Sequence, residues 1–270
     1  MKIGIFYQEN NTDSVRTIRR LKRLLIEAKH ECEEITSDQP LNDKIKLIVV
    51  FGGDGSVLSA VKVSKGKIPI VAVNTGTVGF LTSFEKDELD ELVKAIKNDS
   101  LVFSKRKLLS VKCGKNEYYA LNDAVIVKDN SCDKRSCCVK LNLSIDGNSV
   151  YKYSADGLIL STSTGSTAYA LSAGGPIVTP NLEAVTVAPV CAHSLQARPI
   201  VFAPTSVAEV SVSDASPKCA LYIDGALEGS LSCGESVSVS ISSKTVKICE
   251  NFNNFFDKLS KKISSWTNNE

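Results

Sequence analysis

Short apolar runs alternate with stretches of helical periodicity over the first hundred residues of the chain. The run Leu47–Phe51 contains no polar residue, which is typical of a strand buried in a parallel sheet. The predicted strands are Lys2–Tyr7, Leu47–Phe51 and Ile68–Val73, and the predicted helices are 13–29, Gly55–Ser64 and Glu85–Lys97. This alternation indicates an α/β domain with a parallel sheet.

After residue 101 the pattern changes to short stretches with the two-residue period of half-buried strands. The period is clearest in SVSVSISSKTVKI, where valine and isoleucine alternate with serine. The turn pairs Asp146-Gly147 and Asp224-Gly225 separate such stretches. Further strands are predicted at Leu108–Cys113, Ala124–Val127, Val139–Ile145, Gly157–Ser161, Val185–Ala188 and Val207–Val212. A second, mostly β domain follows from this pattern.

The tail returns to helical spacing over residues 253–266. Its apolar stripe consists of Phe252, Phe255, Phe256, Leu259, Ile263 and Trp266. Because so aromatic a stripe needs a covering surface, we expect this helix to pack back on the first domain; the alternative is a partner-binding helix. The expected division is an α/β domain at 1–100, completed by 247–270, and a β-rich domain at 101–246.

Composition narrows the choice of partners. The chain has 270 residues, 43% apolar and 23% charged, and a formal net charge of +2, which is too small to favour nucleic acid or a membrane. It has neither a signal-peptide pattern at its start nor a run of about eighteen apolar residues, so we expect a cytoplasmic protein. Four arginines on one face of the first helix are interpreted as a solvated surface: Arg16, Arg19, Arg20 and Arg23.

Nine cysteines are present, and three of them, Cys132, Cys137 and Cys138, are close in sequence. A metal site there is the less favoured interpretation, because no C-x-x-C pair occurs and neither His30 nor His193 is near. We expect reduced thiols, no zinc and no disulfide.

The first candidate for chemistry is Gly52-Gly53-Asp54-Gly55, directly after a predicted strand and before a predicted helix. Glycines at such a position let backbone N–H groups approach an anion, and the helix N-terminus favours negative charge. The pattern therefore suits phosphate, but it matches neither the P-loop nor the G-x-G-x-x-G spacing. Asp54 would repel phosphate, so it is either a turn or cap residue or a group acting on a hydroxyl or a metal.

Two further stretches point to the same kind of ligand. VNTGTVGFL, Val73–Leu81, repeats the strand-then-glycine arrangement, so two turns can line one crevice. ADGLILSTSTGSTAYALSAGGPIVTP, Ala155–Pro180, is rich in hydroxyls and glycine and contains Tyr169, which suits recognition of a ribose and a base. A long surface loop is the alternative for that stretch.

Taken together, these stretches resemble the NAD kinases. The matching segments are GGDGS at 52–56, NTGTVGFL at 74–81, LND at 121–123, DGLILSTSTGSTAYALSAGGPI at 156–177, HSLQARPIV at 193–201 and IDG at 223–225. The resemblance implies transfer of the γ-phosphate of ATP, or of a polyphosphate phosphate, to the 2′-hydroxyl of the adenosine ribose of NAD. It also implies homodimers or homotetramers, with NAD sites completed by a neighbouring subunit.

The resemblance assigns roles to individual positions. Asp54 corresponds to the proposed general base of the family. The phosphate loop for ATP corresponds to Gly52, Gly53, Gly55 and Ser56. The NAD-binding positions correspond to Asn74, Thr75, Gly76, Phe80, Asn122, Asp123, Asp156, Thr167, Ala168, Tyr169 and Ser172, which makes the second domain the dinucleotide-binding one.

The chain also departs from the family pattern. Ser59 and Ser154 stand where many members have a basic residue, and Ala226 where a glutamine is common. Lys62, Lys65 and Lys152 are candidate replacements.

No dense carboxylate cage is visible in the sequence, so a divalent metal, expected to be Mg²⁺, should arrive with the nucleotide. Two alternatives stay open from the residues alone. GGDG also occurs in diacylglycerol and sphingosine kinases, and a dinucleotide-sensing module without turnover would need the same binding residues.

Overall fold

The structure is a computed structural model that describes residues 1–7, 12–36, 40–76, 79–129, 138–214, 216–250 and 254–267. These residues form two compact units. The first comprises Met1–Arg106 together with Thr245–Glu270, and the second comprises Lys107–Lys244. Among the helices of the described ranges, none combines the length and apolar character that a membrane span requires.

The elements run along the chain as follows: β1 (Lys2–Tyr7), α1 (Thr12–Glu27), β2 (Glu31–Ile35), β3 (Ile45–Phe51), α2 (Asp54–Ser64), β4 (Ile70–Asn74), β5 (Phe84–Glu85), α3 (Leu89–Lys97), β6 (Phe103–Cys113), β7 (Asn116–Ala120), β8 (Asp123–Lys128), β9 (Val139–Ile145), β10 (Asn148–Ala155), β11 (Gly157–Thr162), a 3₁₀ turn (Gly165–Thr167), α4 (Tyr169–Ser172), β12 (Val185–Val190), β13 (Ile200–Phe202), β14 (Ala208–Val212), β15 (Cys219–Ile223), β16 (Ala226–Leu231), β17 (Ser236–Cys249) and α5 (Phe255–Thr267).

The first unit is built on parallel strand pairs. β1 lies between β2 and β3, β3 pairs with β4, and β4 pairs in turn with β5 and, at Ile248, with the end of β17. Apolar residues of α1 and α3, such as Leu21 and Leu92, share one core with Ile3 and Val49 of the sheet. Helix α2 contacts β1, β3 and β4. The predicted α/β domain with parallel pairing is confirmed.

Parallel pairing also explains where the glycine-rich turns lie. Phe51, the last residue of β3, is in register with Val73 of β4, so both strands end at the same edge. In an open parallel sheet this carboxyl edge is where ligands bind. The turns that begin at Gly52 and after Asn74 are therefore neighbours.

The second unit consists of antiparallel strands. One sheet has the order β13-β12-β11-β8-β15-β16, while β10, β9, β14 and the first part of β17 pair in that order, and β6 forms a hairpin with β7. The larger of its core clusters includes Leu141, Tyr153, Leu158 and Val187, and a smaller one includes Ile159 and Ala170. The mostly β character predicted for this region is confirmed.

Both predicted Asp-Gly turns occur, with positive φ at each residue. The values are 51° and 79° at Asp146 and Gly147, and 47° and 80° at Asp224 and Gly225. This is the geometry of two-residue hairpin turns, which favour Asp-Gly.

Two sequence predictions need correction. Helix α3 begins at Leu89 rather than Glu85, because Phe84 and Glu85 instead pair with β4 as the short strand β5. The tail forms a helix within the first unit, as expected, but its apolar residues are not all covered. Phe256 is 63% and Ile263 43% exposed, whereas Lys258 is only 7% exposed. Phe252 and the Trp266 side chain fall outside what the structure describes.

The cysteine interpretation is only partly testable. Cys132 and Cys137 lie outside the described residues. The cysteines of the described ranges form no disulfide: Cys32, Cys113, Cys138, Cys191, Cys219, Cys233 and Cys249. Within those ranges no group of three metal-ligating side chains comes together.

Candidate active site

The phosphate-loop candidate turns sharply at Gly52, directly after β3. Its φ of +147° is unfavourable for other residues, and a Cβ atom there would lie 2.2 Å from Ser56 Oγ. The Gly52 N–H donates to the carbonyl of Val73 at 3.1 Å, which ties the loop to β4. Gly53 then stands in extended conformation at the N-terminus of α2, with no side chain capping the helix.

Asp54 links the two glycine-rich turns. Its Oδ2 accepts the Phe80 N–H and its Oδ1 the Leu81 N–H, both at 2.9 Å. A Cβ atom on Gly79 would lie 2.3 Å from Asp54 Oδ1, so the carboxylate reaches this position only because residue 79 is glycine. The Asp54 side chain is therefore held across to the second turn.

Backbone at three glycines of these turns is uncovered. An added Cβ atom at Gly53, Gly55 or Gly76 would meet no atom within 4 Å. Gly55 is exposed at the start of α2, where amide groups and the helix dipole attract anions. The loop has the space and polarity that a phosphate chain requires.

The next turn is shaped by its own side chains. Asn74 is 2% exposed, and its amide donates to Glu85 at 3.0 Å and to the carbonyl of Gly76, whose N–H it accepts. Thr75 is half-buried beside it. Asn74 thus bonds mainly inside the turn, which a sequence pattern does not reveal.

The tail helix α5 reaches the same turn. Lys258 donates to the carbonyls of Phe80 at 3.0 Å and Thr82 at 2.8 Å, and the rings of Phe80 and Phe255 lie 5.8 Å apart. Ser83 donates its hydroxyl to the carbonyl of Cys249 at the end of β17. The returning C-terminus therefore fixes residues 80–83.

In the second unit, one carboxylate organises the LND segment. Asp224, in the Asp-Gly turn after β15, accepts the N–H groups of Leu121 at 2.7 Å, Asn122 at 2.8 Å and Asp123 at 3.1 Å. The side chains of Asn122 and Asp123 are 8% and 5% exposed. The sequence placed Asp224 in an Asp-Gly turn and in the matching IDG segment, but it gave this carboxylate no role in holding residues 121–123.

Asp123 has an unusual electrostatic setting. Burial, and secondarily the charge of Asp224, raise the pKa of the Asp123 carboxyl from 3.8 to about 7. The Asn122 side chain has no hydrogen-bond partner among the described residues, so its amide is available to a ligand. The pair combines an available amide with a carboxyl that changes charge near neutral pH.

The hydroxyl-rich stretch after β10 is not the surface loop considered as an alternative. Ser161 to Ser166 are buried, and their hydroxyls mostly bond the chain to itself. Thr162 donates to the carbonyl of Leu121 at 2.6 Å, and Ser166 links to both the carbonyl and the N–H of Val178. A Cβ atom on Gly165 would lie 2.1 Å from the Asn122 carbonyl oxygen. These groups shape the wall beside Asn122.

Four of the remaining candidates follow that wall in the chain. Thr167 and Ala168 are half-buried at the junction of the 3₁₀ turn and α4, Tyr169 is 44% exposed, and Ser172 is exposed. Asp156 is also exposed, but it precedes β11 and lies at the end of that strand away from residues 161–166, because Gly157 pairs with Val127 while Ser161 pairs with Asp123. The structure therefore does not bring Asp156 to the Asn122 wall.

The substitutes considered for the missing basic residues are poorly placed on α2. Lys62 and Lys65 follow Asp54 by eight and eleven residues, which puts Lys62 about 12 Å along the helix axis. Ser59 donates its hydroxyl to the carbonyl of Gly55, one helical turn earlier. In the second unit, Lys152 is exposed and Ser154 is half-buried on β10.

Comparison with known proteins decides the family. Residues 27–101 match the ATP-NAD kinase N-terminal domain, and residues 121–251 match the ATP-NAD kinase C-terminal domain. An NAD kinase from Petrotoga mobilis is 39% identical over 80% of this chain and 78% of its own length. One from Fusobacterium nucleatum is 33% identical over 100% of this chain and 99% of its own. The chain belongs to the NAD kinase family.

A solved structure extends the likeness to the fold. An NAD kinase from Archaeoglobus fulgidus, in complex with ATP, has a TM-score of 0.79 and 26% identity, covering 97% of this chain and 98% of that one. NAD kinase activity is therefore the function of this chain, and the lipid-kinase and non-catalytic hypotheses find no support.

Proposed function

We propose that Asp54 accepts the proton of the 2′-hydroxyl on the adenosine ribose of NAD while that oxygen attacks the γ-phosphorus of ATP. The bond from phosphorus to the ADP oxygen breaks, and NADP and ADP result. The observation that carries this role is the carboxylate held by the N–H groups of Phe80 and Leu81 at the start of α2. Phosphoryl transfer needs positioning and charge neutralisation, which such a fixed group supplies.

The hydrogen bonds leave Asp54 capable of this step. A carboxylate has about four lone-pair positions, and the two amides occupy one on each oxygen. A hydroxyl can approach one of the others. Because both amides belong to one turn, they also fix the plane of the carboxylate, which reduces the reorganisation needed at the moment of reaction.

The glycine loop would hold the donor. The uncovered backbone at Gly53 and Gly55 and the start of α2 suit the phosphates of ATP, or of polyphosphate, and Ser56 is adjacent. Mg²⁺ would neutralise phosphate charge. Since no cluster of metal-ligating side chains exists in the described ranges, the ion would be carried by the phosphates, with Asp54 the nearest carboxylate of the loop.

The proposed NAD contacts are the positions that match the family's NAD-binding segments. Asn122 and Asp123 suit the adenosine, since a free amide and a carboxyl can bond a base edge and a ribose hydroxyl. Tyr169 offers an exposed ring for stacking. The other proposed contacts are Asn74, Thr75, Gly76, Phe80, Asp156, Thr167, Ala168 and Ser172.

Asp54→Asn tests the proposal. The amide removes the basic oxygen, so kcat for NADP formation from NAD, ATP and Mg²⁺ should fall by about 10²–10⁴-fold. NAD affinity should change little. The new NH₂ group must face the N–H of Phe80 or Leu81, so a loss of about 1–3 kcal/mol in unfolding free energy is also expected.

Asp87→Asn is the matched control, because Asp87 is exposed and lies outside the proposed site. Its turnover should equal that of the parent chain. Unchanged turnover in Asp54→Asn would reject the base, and loss of NAD binding together with turnover would make Asp54 a binding residue instead.

We also propose that the protein works as a homodimer or homotetramer in the cytoplasm. Support for assembly comes from apolar side chains exposed on the second unit, such as Ile177, Leu195 and Val201. Support for the cytoplasm comes from the exposed thiols of Cys191 and Cys233, which form no disulfide. Light scattering should give at least a dimeric mass at micromolar concentration. A monomeric mass with full activity contradicts the assembly.

A further inference from the structure

Lys258 is the most buried charged residue among those of α5 whose side chains the structure describes. It is 7% exposed, while Asp257 before it and Lys261 after it are exposed. Burial lowers the pKa of its ammonium group, and the charges of Asp54 and Glu250 oppose that effect. A buried cation is costly unless it is well bonded, so its retention requires a reason.

The partners of Lys258 belong to the turn that holds Asp54. Its ammonium donates to the carbonyls of Phe80 and Thr82, at 3.0 and 2.8 Å. The same turn donates the N–H groups of Phe80 and Leu81 to the Asp54 carboxylate. One turn is thus bonded by a cation on its carbonyl side and by an anion on its amide side.

The peptide group between Phe80 and Leu81 makes the connection direct. Its carbonyl oxygen accepts from Lys258 and its N–H donates to Asp54 Oδ1. Hydrogen bonds arranged in such a chain polarise one another, so the cation strengthens the bond that the carboxylate receives. Lys258 and Asp54 are therefore coupled through a single peptide unit without touching.

We propose that Lys258 is a positioning residue for the phosphoryl transfer, holding residues 80–82 so that both amides face Asp54. It contacts no reacting atom itself. The alternative is that Lys258 only anchors α5 to the first unit, with no specific influence on Asp54. The proposal rests on the proposed role of Asp54 as the base.

Three variants separate these roles. Lys258→Met removes donors and charge, Lys258→Gln keeps an N–H donor without charge, and Lys258→Arg keeps both. Lys261→Met, on the exposed face of the same helix, is the control and should behave like the parent chain. For each, kcat, the KM values of NAD and ATP, and the unfolding temperature are measured.

We expect Lys258→Met to lower kcat by up to about 100-fold, the usual consequence of displacing a catalytic group by about 1 Å. KM for NAD should change less than about threefold, and Lys258→Arg should recover much of the lost kcat. If Lys258→Met does not fold, Lys258→Gln supplies the comparison, because it retains a partner for the carbonyls.

The deciding measurement is a double-mutant cycle with Asp54→Asn. If Lys258 acts through Asp54, Lys258→Met should lower kcat less than about twofold further in the Asp54→Asn background. Additive losses, or a full kcat in Lys258→Met or Lys258→Gln, overturn the proposal. Full kcat in Asp54→Asn alone rejects the base itself, so failure of the proposed function is distinguishable from failure of this inference.

Discussion

Each unit of the molecule contains one carboxylate with a proposed role, and the surroundings of the two carboxylates differ. Asp54 meets two N–H donors and, one peptide unit away, the ammonium of Lys258. Asp123 is buried close to a second carboxylate, Asp224, whose oxygens are already used by three N–H groups. Burial and the like charge of Asp224 favour the neutral form of Asp123.

The different surroundings of Asp54 and Asp123 suit different roles, proton acceptance for Asp54 and substrate recognition for Asp123. A carboxylate surrounded by donors keeps a fixed orientation, as a group that accepts a proton from a substrate requires. A carboxyl with a pKa of about 7 can donate or accept a hydrogen bond, which suits recognition of a ribose or base. Paired acids held in contrasting environments commonly divide roles in this way.

The largest expected effect is the change that Asp123 causes in the free energy of unfolding as the pH rises. The pKa of the Asp123 carboxyl is about 7 in the folded protein and 3.8 in the unfolded chain. As the pH rises, Asp123 therefore loses its proton first in the unfolded chain, and its contribution to the free energy of unfolding falls between about pH 4 and pH 7. Asp123→Asn removes this effect. The variant should be more stable than the parent by up to about 4 kcal/mol at pH 8 and by little at pH 4.

Urea unfolding at pH 4, 6 and 8 without NAD measures the difference. Asp87→Asn is again the control, because Asp87 is exposed and lies outside the proposed site. If Asp123→Asn changed the unfolding free energy equally at all three pH values, the pKa of Asp123 would not be raised, and the proposed electrostatic difference between Asp54 and Asp123 would be wrong.

The second prediction concerns Gly79, which leaves room for Asp54. Gly79→Ala places Cβ 2.3 Å from Asp54 Oδ1. The carboxylate is the flexible partner, so the fold should survive while Asp54 moves. We expect kcat to fall by about 100-fold, or about 3 kcal/mol of barrier, with little change in unfolding temperature.

Gly229→Ala is the control, since nothing lies within 4 Å of the added atom and the residue is outside the proposed site. If Gly79→Ala turns over NAD normally, the position of Asp54 does not limit catalysis, and the contrast between a fixed and a titrating carboxyl loses its functional meaning.

The surroundings of Asp54 show which features of the site can be predicted from the sequence and which cannot. The glycines around Asp54, the Asp-Gly turns and the alternation of strands and helices are local signals, and they predicted the elements that carry the site. The N–H donors of Phe80 and Leu81 are backbone groups 26 and 27 residues from Asp54, which no side-chain pattern encodes.

Other features of the structure were not predicted from the sequence, for identifiable physical reasons. Strand β2, with the sequence ECEEI, pairs with β1 at the edge of the parallel strands that the structure describes in the first unit. An edge strand tolerates charged residues, so its sequence lacks the apolar run from which the other strands were predicted. Lys258 interrupts the apolar stripe of α5 and was not singled out from the sequence, because the burial of its ammonium group depends on carbonyls that are distant in the chain. Asp224 lies in the IDG segment that the sequence did single out. Because an Asp-Gly pair is explained by a turn alone, its carboxylate was not predicted to accept the N–H groups of residues 121–123.

The smallest predicted effect on stability concerns Gly55 and has the opposite sign to its effect on function. An added Cβ atom there meets nothing within 4 Å, and the residue lies in the first turn of α2 without a positive φ. Gly55→Ala should therefore raise the unfolding free energy by about 0.4–1 kcal/mol, through reduced freedom of the unfolded chain. The same methyl group occupies space proposed for phosphate, so KM for ATP should rise about tenfold, equivalent to about 1.4 kcal/mol.

A gain in stability with a loss in ATP binding is hard to explain unless the open space is for a ligand. Gly229→Ala again provides the comparison, with no expected change in KM for ATP or for NAD. Urea unfolding and steady-state kinetics on the same preparations give both quantities. If Gly55→Ala keeps its KM for ATP, the phosphates are held elsewhere, and the first unit then contributes only Asp54 and its turn to the reaction.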